Sequence, residues 1–241
     1  MSRRPRRRLS GMSTFVLIPG AGSSAWYWHL VTPLLEAHGH DTVAVELPYG
    51  DESADFGDYV KATLDAIGER RDLVVVGHSL GAYTATLVCA ELPVDLLVLV
   101  AAMVPRPGES AGDWWANTGH SSPEPFDEVE VFLHDVSEEL VAEGWDHVGE
   151  QAGRPFEDPW PLTEWPDVPT RFLLCRDDRF FTAEFQRRVV RERLRIEPDE
   201  MGGGHLPALA RPAELADRLL RYVGELDAHR DDWRIAQTLG E

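Results

Sequence analysis

Leu73-Val74-Val75-Val76-Gly77-His78-Ser79-Leu80-Gly81-Ala82-Tyr83-Thr84 is the stretch that decides the fold. Its first four residues form a short apolar, mostly β-branched run of the kind a parallel strand buried on both faces needs. From Ala82 to Ala90 small residues come first and a helical apolar pattern follows. Between the two lies G-x-S-x-G. Turning a strand into a helix within a few residues forces the serine into strained backbone geometry. A side chain at Gly77 or Gly81 would collide with the neighbouring strand and helix. The Ser79 hydroxyl is thereby held clear of the sheet, above a helix N-terminus, which is the arrangement of a nucleophile elbow. The five-residue pattern recurs by chance; the strand and helix around it give it meaning.

Working outward, strand-like and helix-like segments alternate. Thr14–Ile18 reads as a strand, residues 28–38 as a helix, and Thr42–Leu47 as a second strand. Phe56–Glu69 is helix-like, with Phe56, Tyr59, Val60, Leu64 and Ile67 on one face. After the elbow come strands over Leu96–Ala101 and Thr170–Cys175, a helix over Ala183–Arg193, a short strand over Leu194–Glu197 and a closing helix over Pro212–Val223. This repetition predicts an α/β fold: a mostly parallel central sheet with helices on both faces. The core is expected in residues 13–104 and 170–225, with a basic tail at 1–12 and a C-terminal extension at 226–241. Residues 105–169 break the rhythm. They show no convincing strand, many acids and prolines, and Trp114, Trp115, Trp145, Trp160 and Trp165. A helical insertion of this kind reads as a lid over the strand ends, where open α/β sheets bind ligands. Trp114 and Trp115 are its candidate pocket residues, against the alternative that the tryptophans only fasten the insertion to the sheet.

A chain of 241 residues suits one large domain, and 43% hydrophobic content is ordinary for a globular protein. A formal charge of −19 disfavours nucleic acid or an anionic membrane surface as partner. Lys61 is the only lysine. Cys89 and Cys175 fall in an apolar helix and an apolar strand, with no metal spacing, and are expected as buried free thiols. Nothing resembles a transmembrane span. The arginine-rich start lacks the apolar core of an export signal, because the run Phe15–Ile18 stops at Pro19-Gly20. It is expected to be disordered, with Met12 as an alternative start, and a cytoplasmic location is the default. A homodimer stays open.

A serine hydroxyl needs a base to take its proton and a third group to orient that base. Of nine histidines, His205 stands apart, in the glycine loop Met201-Gly202-Gly203-Gly204-His205 after the last strand. His78 is expected to point away from the site. His29, His38 and His40 read as surface or loop residues, and His120, His134 and His147 sit in the lid, within reach of a substrate. For the acid, Arg176-Asp177-Asp178-Arg179 follows a late strand, and Asp178 is favoured over Asp177. The loop after the earlier strand offers no carboxylate until Glu109. Asp199 and Glu200 read as solvated turn residues. A tetrahedral intermediate needs two donors for its oxyanion. The Leu80 N–H at the helix start is one. The loop Pro19-Gly20-Ala21-Gly22-Ser23-Ser24 supplies the other, with Ala21 N–H the choice and Gly22 beside it in the pocket. A dinucleotide loop is the weaker reading, since Ala25 stands where the third glycine of G-x-G-x-x-G belongs.

Ile18 to Trp26, Gly77 to Gly81, Asp178, and Gly204-His205-Leu206 together resemble the α/β-hydrolase superfamily over residues 14–223. Within it the chain is most similar to the small-lid branch of plant methylesterases and hydroxynitrile lyases, with bacterial esterases. That branch usually has His-Gly where this chain has Pro19-Gly20, a departure that leaves a backbone donor at Ala21 undisturbed. The resemblance implies a cofactor-free acyl-enzyme mechanism on a small-molecule carboxylic ester, with a thioester as an open alternative. A lyase of the hydroxynitrile type would imply a lid lysine, and Lys61 lies far outside the lid. Dehalogenases and epoxide hydrolases of this fold use an aspartate nucleophile, which Ser79 argues against. A non-catalytic ligand receptor on the same fold is the third reading.

Overall fold

The computed structural model describes residues 11–238; the basic start and its expected disorder lie outside them. Six parallel strands, β1 (Thr14–Ile18), β2 (Asp41–Ala44), β3 (Leu73–His78), β4 (Val94–Val100), β5 (Thr170–Cys175) and β6 (Asp199–Met201), form one sheet in the order β2-β1-β3-β4-β5-β6. Strand β3 lies between β1 and β4, and all six of its residues are buried. Alternate residues along the strands serve two cores. Val16, Ile18, Val75, Leu97, Leu99, Phe172 and Leu174 pack with α2 (Phe56–Ile67), α3 (Gly81–Glu91) and α7 (Ala183–Leu194). Phe15, Leu17, Val74, Val76, Val98, Leu173 and Cys175 pack on the other face with α1 (Thr32–Ala37), α8 (Pro207–Ala210) and α9 (Pro212–Thr238). The mostly parallel sheet expected from the sequence is therefore present, with a core on each face.

Element bounds follow local chemistry. Asp55 caps α2 by accepting from the N–H groups of Gly57 and Asp58, and Asp58 returns the bond to the Asp55 N–H. The single helix expected over residues 28–38 is split into a 3-10 turn at Ala25–Trp28 and α1, which carries Pro33 in its first turn. The strand expected at Leu194–Glu197 is absent: α7 runs to Leu194, and Arg195 ends it in a left-handed conformation with its N–H on the Val190 carbonyl. The last strand lies at Asp199–Met201 instead, so Asp199 and Glu200 are strand residues rather than turn residues. Glu200 accepts two bonds from Arg187, at 2.7 and 2.9 Å. The closing helix runs on as α9 to Thr238, into the segment expected as a C-terminal extension. Cys89 and Cys175 are free, in α3 and β5, and burial raises both thiol pKa values.

Between β4 and β5 the insertion holds three short helices, α4 (Ala111–Thr118), α5 (Glu128–Phe132) and α6 (Glu138–Gly144), and a 3-10 turn at Arg154–Phe156. A buried ion pair fastens its first part to the core. Arg193 of α7 meets Glu109 through both carboxylate oxygens, with side chains only 2% and 4% exposed. Glu109 also accepts from Asn117 at 3.0 Å, and Arg193 reaches the Val104 carbonyl at 2.6 Å. Removing one partner strands the other charge. Glu109→Ala is expected to cost about 3–5 kcal/mol in urea unfolding, and Glu109→Leu with Arg193→Met to recover most of it.

Candidate active site

The site is built on one strained residue. Ser79 has φ +50, in the left-handed region that residues other than glycine seldom occupy. Its N–H donates to Val100 and its carbonyl accepts from Met103, at 3.2 and 3.1 Å, so the end of β4 holds both sides of its backbone. A Cβ on Gly77 would lie 2.8 Å from that of Ala85, and one on Gly81 would run into the Pro19 carbonyl. Strand, helix and first loop thus meet at distances that only glycine allows.

His205 and Asp178 come to this serine from separate loops. His205 Nδ1 lies 2.9 Å from Asp178 Oδ2, and Nε2 lies 3.1 Å from Ser79 Oγ. The carboxylate can only accept, so Nδ1 carries the hydrogen and Nε2 offers its lone pair to the serine hydroxyl. Asp178 is buried and well supplied with donors. The N–H groups of Phe180 and Phe181 reach its Oδ1 at 2.8 and 2.9 Å, and Gln186 Nε2 lies 3.4 Å from Oδ2. This loop closes on itself around the acid. Gln186 escaped the sequence reading; its place four residues past the Thr182 cap of α7 was the available signal.

The histidine loop is clamped by two more carboxylates. Asp177 Oδ2 accepts the Gly203 N–H at 2.8 Å, and Asp177 returns its own N–H to the Gly203 carbonyl. Asp135, from the insertion, accepts the Gly204 N–H at 2.7 Å. His78 does not point away as expected. Its Nε2–H donates to the His205 carbonyl at 2.8 Å, and its ring stacks on Tyr27 and borders the cavity. Burial, and then the neighbouring His205, hold the His78 pKa well below its ordinary value, so this ring stays neutral.

A cavity of about 500 Å³ opens beside Ser79, bordered by Ala21, Gly22 and His205. Apolar side chains of the insertion, among them Phe132, Leu140, Val141 and Trp145, form much of its wall, opposite Trp26 and Leu209. No lysine or arginine lines it among the described residues; Lys61 sits exposed on α2, paired with Asp65. Among the described residues, turns and side chains leave the N–H groups of Ala21 and Leu80 unclaimed. Trp114 and Trp115, the expected pocket residues, lie outside the cavity wall. Trp114 is fully buried and donates from Nε1 to the Val104 carbonyl at 3.0 Å, while Trp115 packs on His120, Phe180 and Phe181. Trp160 and Trp165 fasten the insertion through Thr86 and Thr170. Only Trp145, of the five, borders the cavity. Of the lid histidines His147 does so too, whereas His120 and His134 bond the carbonyls of Phe180 and Asp177.

Known proteins agree with this architecture. The probable esterase PIR7A of Oryza sativa subsp. indica is 27% identical over 90% of this chain and 99% of its own length. Methylesterase 2 of Arabidopsis thaliana is 25% identical over 86% of this chain and 94% of its own. The crystal structure of polyneuridine aldehyde esterase superposes with a TM-score of 0.75 at 20% identity, covering 88% of this chain and 99% of that one, and so shares the fold. No helix of the described residues is long and apolar enough to cross a membrane. With the family model for the alpha/beta hydrolase family matching residues 15–218, this chain belongs to that family and is a hydrolase of the esterase type.

Proposed function

We propose that the protein cleaves a neutral carboxylic ester of small or medium size through an acyl-enzyme on Ser79. The observation that carries this reading is the unbroken hydrogen-bond chain from Asp178 through His205 to Ser79 at the edge of an apolar cavity. Ser79 Oγ attacks the ester carbonyl carbon while His205 Nε2 takes its proton. The carbonyl oxygen becomes an oxyanion held by the N–H groups of Ala21 and Leu80, the latter at the start of α3 where the helix dipole adds to the bond. Collapse of the tetrahedral species expels the alcohol, which receives the proton from His205. Water, deprotonated by the same ring, then releases the acid. Asp178 keeps the ring in the productive tautomer and stabilises its charged form, without itself becoming protonated.

The wall chemistry supports the choice of substrate. A cavity of about 500 Å³ falls within the ordinary range for small-molecule sites. With no lysine or arginine in its lining among the described residues, it offers an anionic substrate no counter-charge, and the lining includes Glu128 and Glu150. The absence of a cation there also leaves a departing cyanide without a partner, which favours hydrolysis over the lyase reading.

Three measurements test this proposal. Ser79→Ala is expected to lower kcat for a p-nitrophenyl ester by about 10⁴–10⁶-fold with KM nearly unchanged; retention of a tenth of the activity would end the reading. Asp178→Asn should cost about 10³–10⁴-fold by disfavouring the productive tautomer. Asp177→Asn should cost less than about tenfold, because its amide oxygen still accepts from Gly203; reversed results would exchange the roles of the two aspartates. Across p-nitrophenyl esters from acetate to palmitate, kcat/KM should peak at short or medium chains. Trp145→Ala should shift that profile, and Trp114→Ala should leave it in place while costing about 3–5 kcal/mol of stability. A maximum at palmitate would refute the cavity assignment.

A further inference from the structure

The insertion grips the loop that follows β1. The Gly22 carbonyl accepts from the Gly149 N–H at 2.9 Å, and Ser23 and Val148 form an isolated antiparallel bridge. The Gly22 N–H, in turn, donates to Gln151 Oε1 at 3.1 Å. Gly22 has φ +64, and a Cβ there would stand 2.5 Å from the Gly149 carbonyl oxygen, so the two backbones touch directly.

Gln151 is itself fixed. Its Nε2 lies 2.9 Å from the Tyr59 hydroxyl, 3.1 Å from the Ala152 carbonyl and 3.4 Å from the Tyr49 carbonyl. Two carbonyl oxygens facing one end of the amide require its NH₂ there, which leaves the oxygen to meet the Gly22 N–H. The orientation of the amide is therefore dictated by its surroundings rather than chosen. Tyr59 is buried in the core on α2, so the chain Tyr59–Gln151–Gly22 ties the loop to the rigid part of the fold. Gln151 also borders a small void behind Pro19, Gly20, Leu80 and Gly81, at the back of the same loop.

We propose that Gln151, a residue of the insertion, is the positioning residue of the oxyanion loop: by holding the Gly22 N–H it fixes the Ala21–Gly22 peptide plane, which through the shared Ala21 Cα limits the aim of the adjoining Ala21 N–H. This rests on the assignment of Ala21 as an oxyanion donor. Gly22 has no Cβ to restrict its torsions, so its conformation depends on the hydrogen bonds that Gln151 and Gly149 make to its N–H and its carbonyl. An oxyanion donor acts only if it is preorganised at the place where charge develops, so the loss should appear in the transition state and not in ground-state binding. Gln151 would touch neither substrate nor reacting atoms.

The test uses Gln151→Met, which keeps the length and volume of the side chain and removes both hydrogen-bonding ends. Three quantities are compared with the wild type: kcat and KM on a p-nitrophenyl ester, the affinity for an aryl trifluoromethyl ketone, and the affinity for the matching aryl alcohol. The ketone forms a hemiketal when Ser79 Oγ adds to its carbonyl carbon; the serine proton passes to His205 and the carbonyl oxygen becomes an oxyanion. The alcohol has no such oxygen to offer. We expect kcat to fall about 10- to 100-fold, less than the loss of a whole oxyanion donor. Hemiketal affinity should fall in parallel, with KM, alcohol affinity and Tm nearly unchanged. Equal hemiketal affinity and kcat in both proteins would overturn the role of Gln151 while leaving the esterase reading standing. Equal weakening of ketone and alcohol with a lowered Tm would overturn it as well, showing a merely structural part. A wild type that neither hydrolyses esters nor adds to the ketone would instead overturn the esterase reading. Should Gln151→Met not fold, Tyr59→Phe removes only the hydroxyl that orients the amide, and a three- to tenfold fall in kcat and hemiketal affinity, with alcohol affinity kept, is expected; no change there overturns the proposal.

Discussion

The left-handed backbone of Ser79 is the constraint on which the other placements depend. A non-glycine residue in such a conformation costs on the order of 1–3 kcal/mol and persists only where its surroundings over-determine it. Here they do. Strand β3 is buried between β1 and β4, the Ser79 N–H and carbonyl are both bonded at the end of β4, and Gly81 lies against the Pro19 carbonyl. The same contacts that impose the strain bring the loop after β1 up to the serine. The elbow and the candidate oxyanion loop are therefore a single packing arrangement, and a side chain at Gly81 would displace both.

Around that fixed point the other two members of the hydrogen-bond chain are held mainly by backbone. Asp178 is satisfied by two N–H groups of its own loop, and the His205 loop by the carboxylates of Asp177 and Asp135 and by the His78 ring on its carbonyl. A flexible glycine run thus becomes a defined support once each N–H finds an acceptor. The glycines keep side chains out of the way: a Cβ on Gly204 would lie 2.7 Å from Asp135 and from His134. A His78 ring kept neutral by burial suits this role, because it holds the His205 carbonyl without placing a positive charge beside the imidazole that faces Ser79.

Much of this was legible in the sequence where a residue's neighbours along the chain decide its place. The elbow, β1 and β5, the amphipathic α2, and the meeting of Ser79, Asp178 and His205 all follow from local pattern and chain order. What escaped depends on partners far apart. Strand β6 is polar because it lies at the sheet edge and its glutamate meets an arginine of α7, so no apolar run marks it. Trp114 and Trp145 are the same residue type in the same insertion, one locked in the core and one on the cavity wall. A signal existed for the first: Ala111, Trp114 and Thr118 share the buried face of α4 at helical spacing, as expected for a core position. Nothing comparable marks Trp145, Asp135 or Gln151, whose places come from backbone groups 69 or more residues away for the latter two.

Those long-range contacts change how the insertion is to be viewed. A flap that merely covered a cavity could vary freely with the substrate. This one supplies an acceptor to the histidine loop at Asp135 and another to the candidate oxyanion loop at Gln151, while Phe132, Leu140, Val141 and Trp145 between them face the cavity. The apolar wall of the cavity is thus strung between two contacts with the loops that carry His205 and Ala21. Leu140 and Val141 of α6 are free to change with the ligand, because they border the cavity, whereas Phe132 of α5 also packs on the His205 and Phe180 rings and Glu130 accepts from Arg179. Asp135, Gly149 and Gln151 are not free, because their hydrogen bonds end on the backbone of Gly204 and Gly22, next to His205 and Ala21. In this fold a change of substrate and a loss of catalytic geometry lie only a few residues apart.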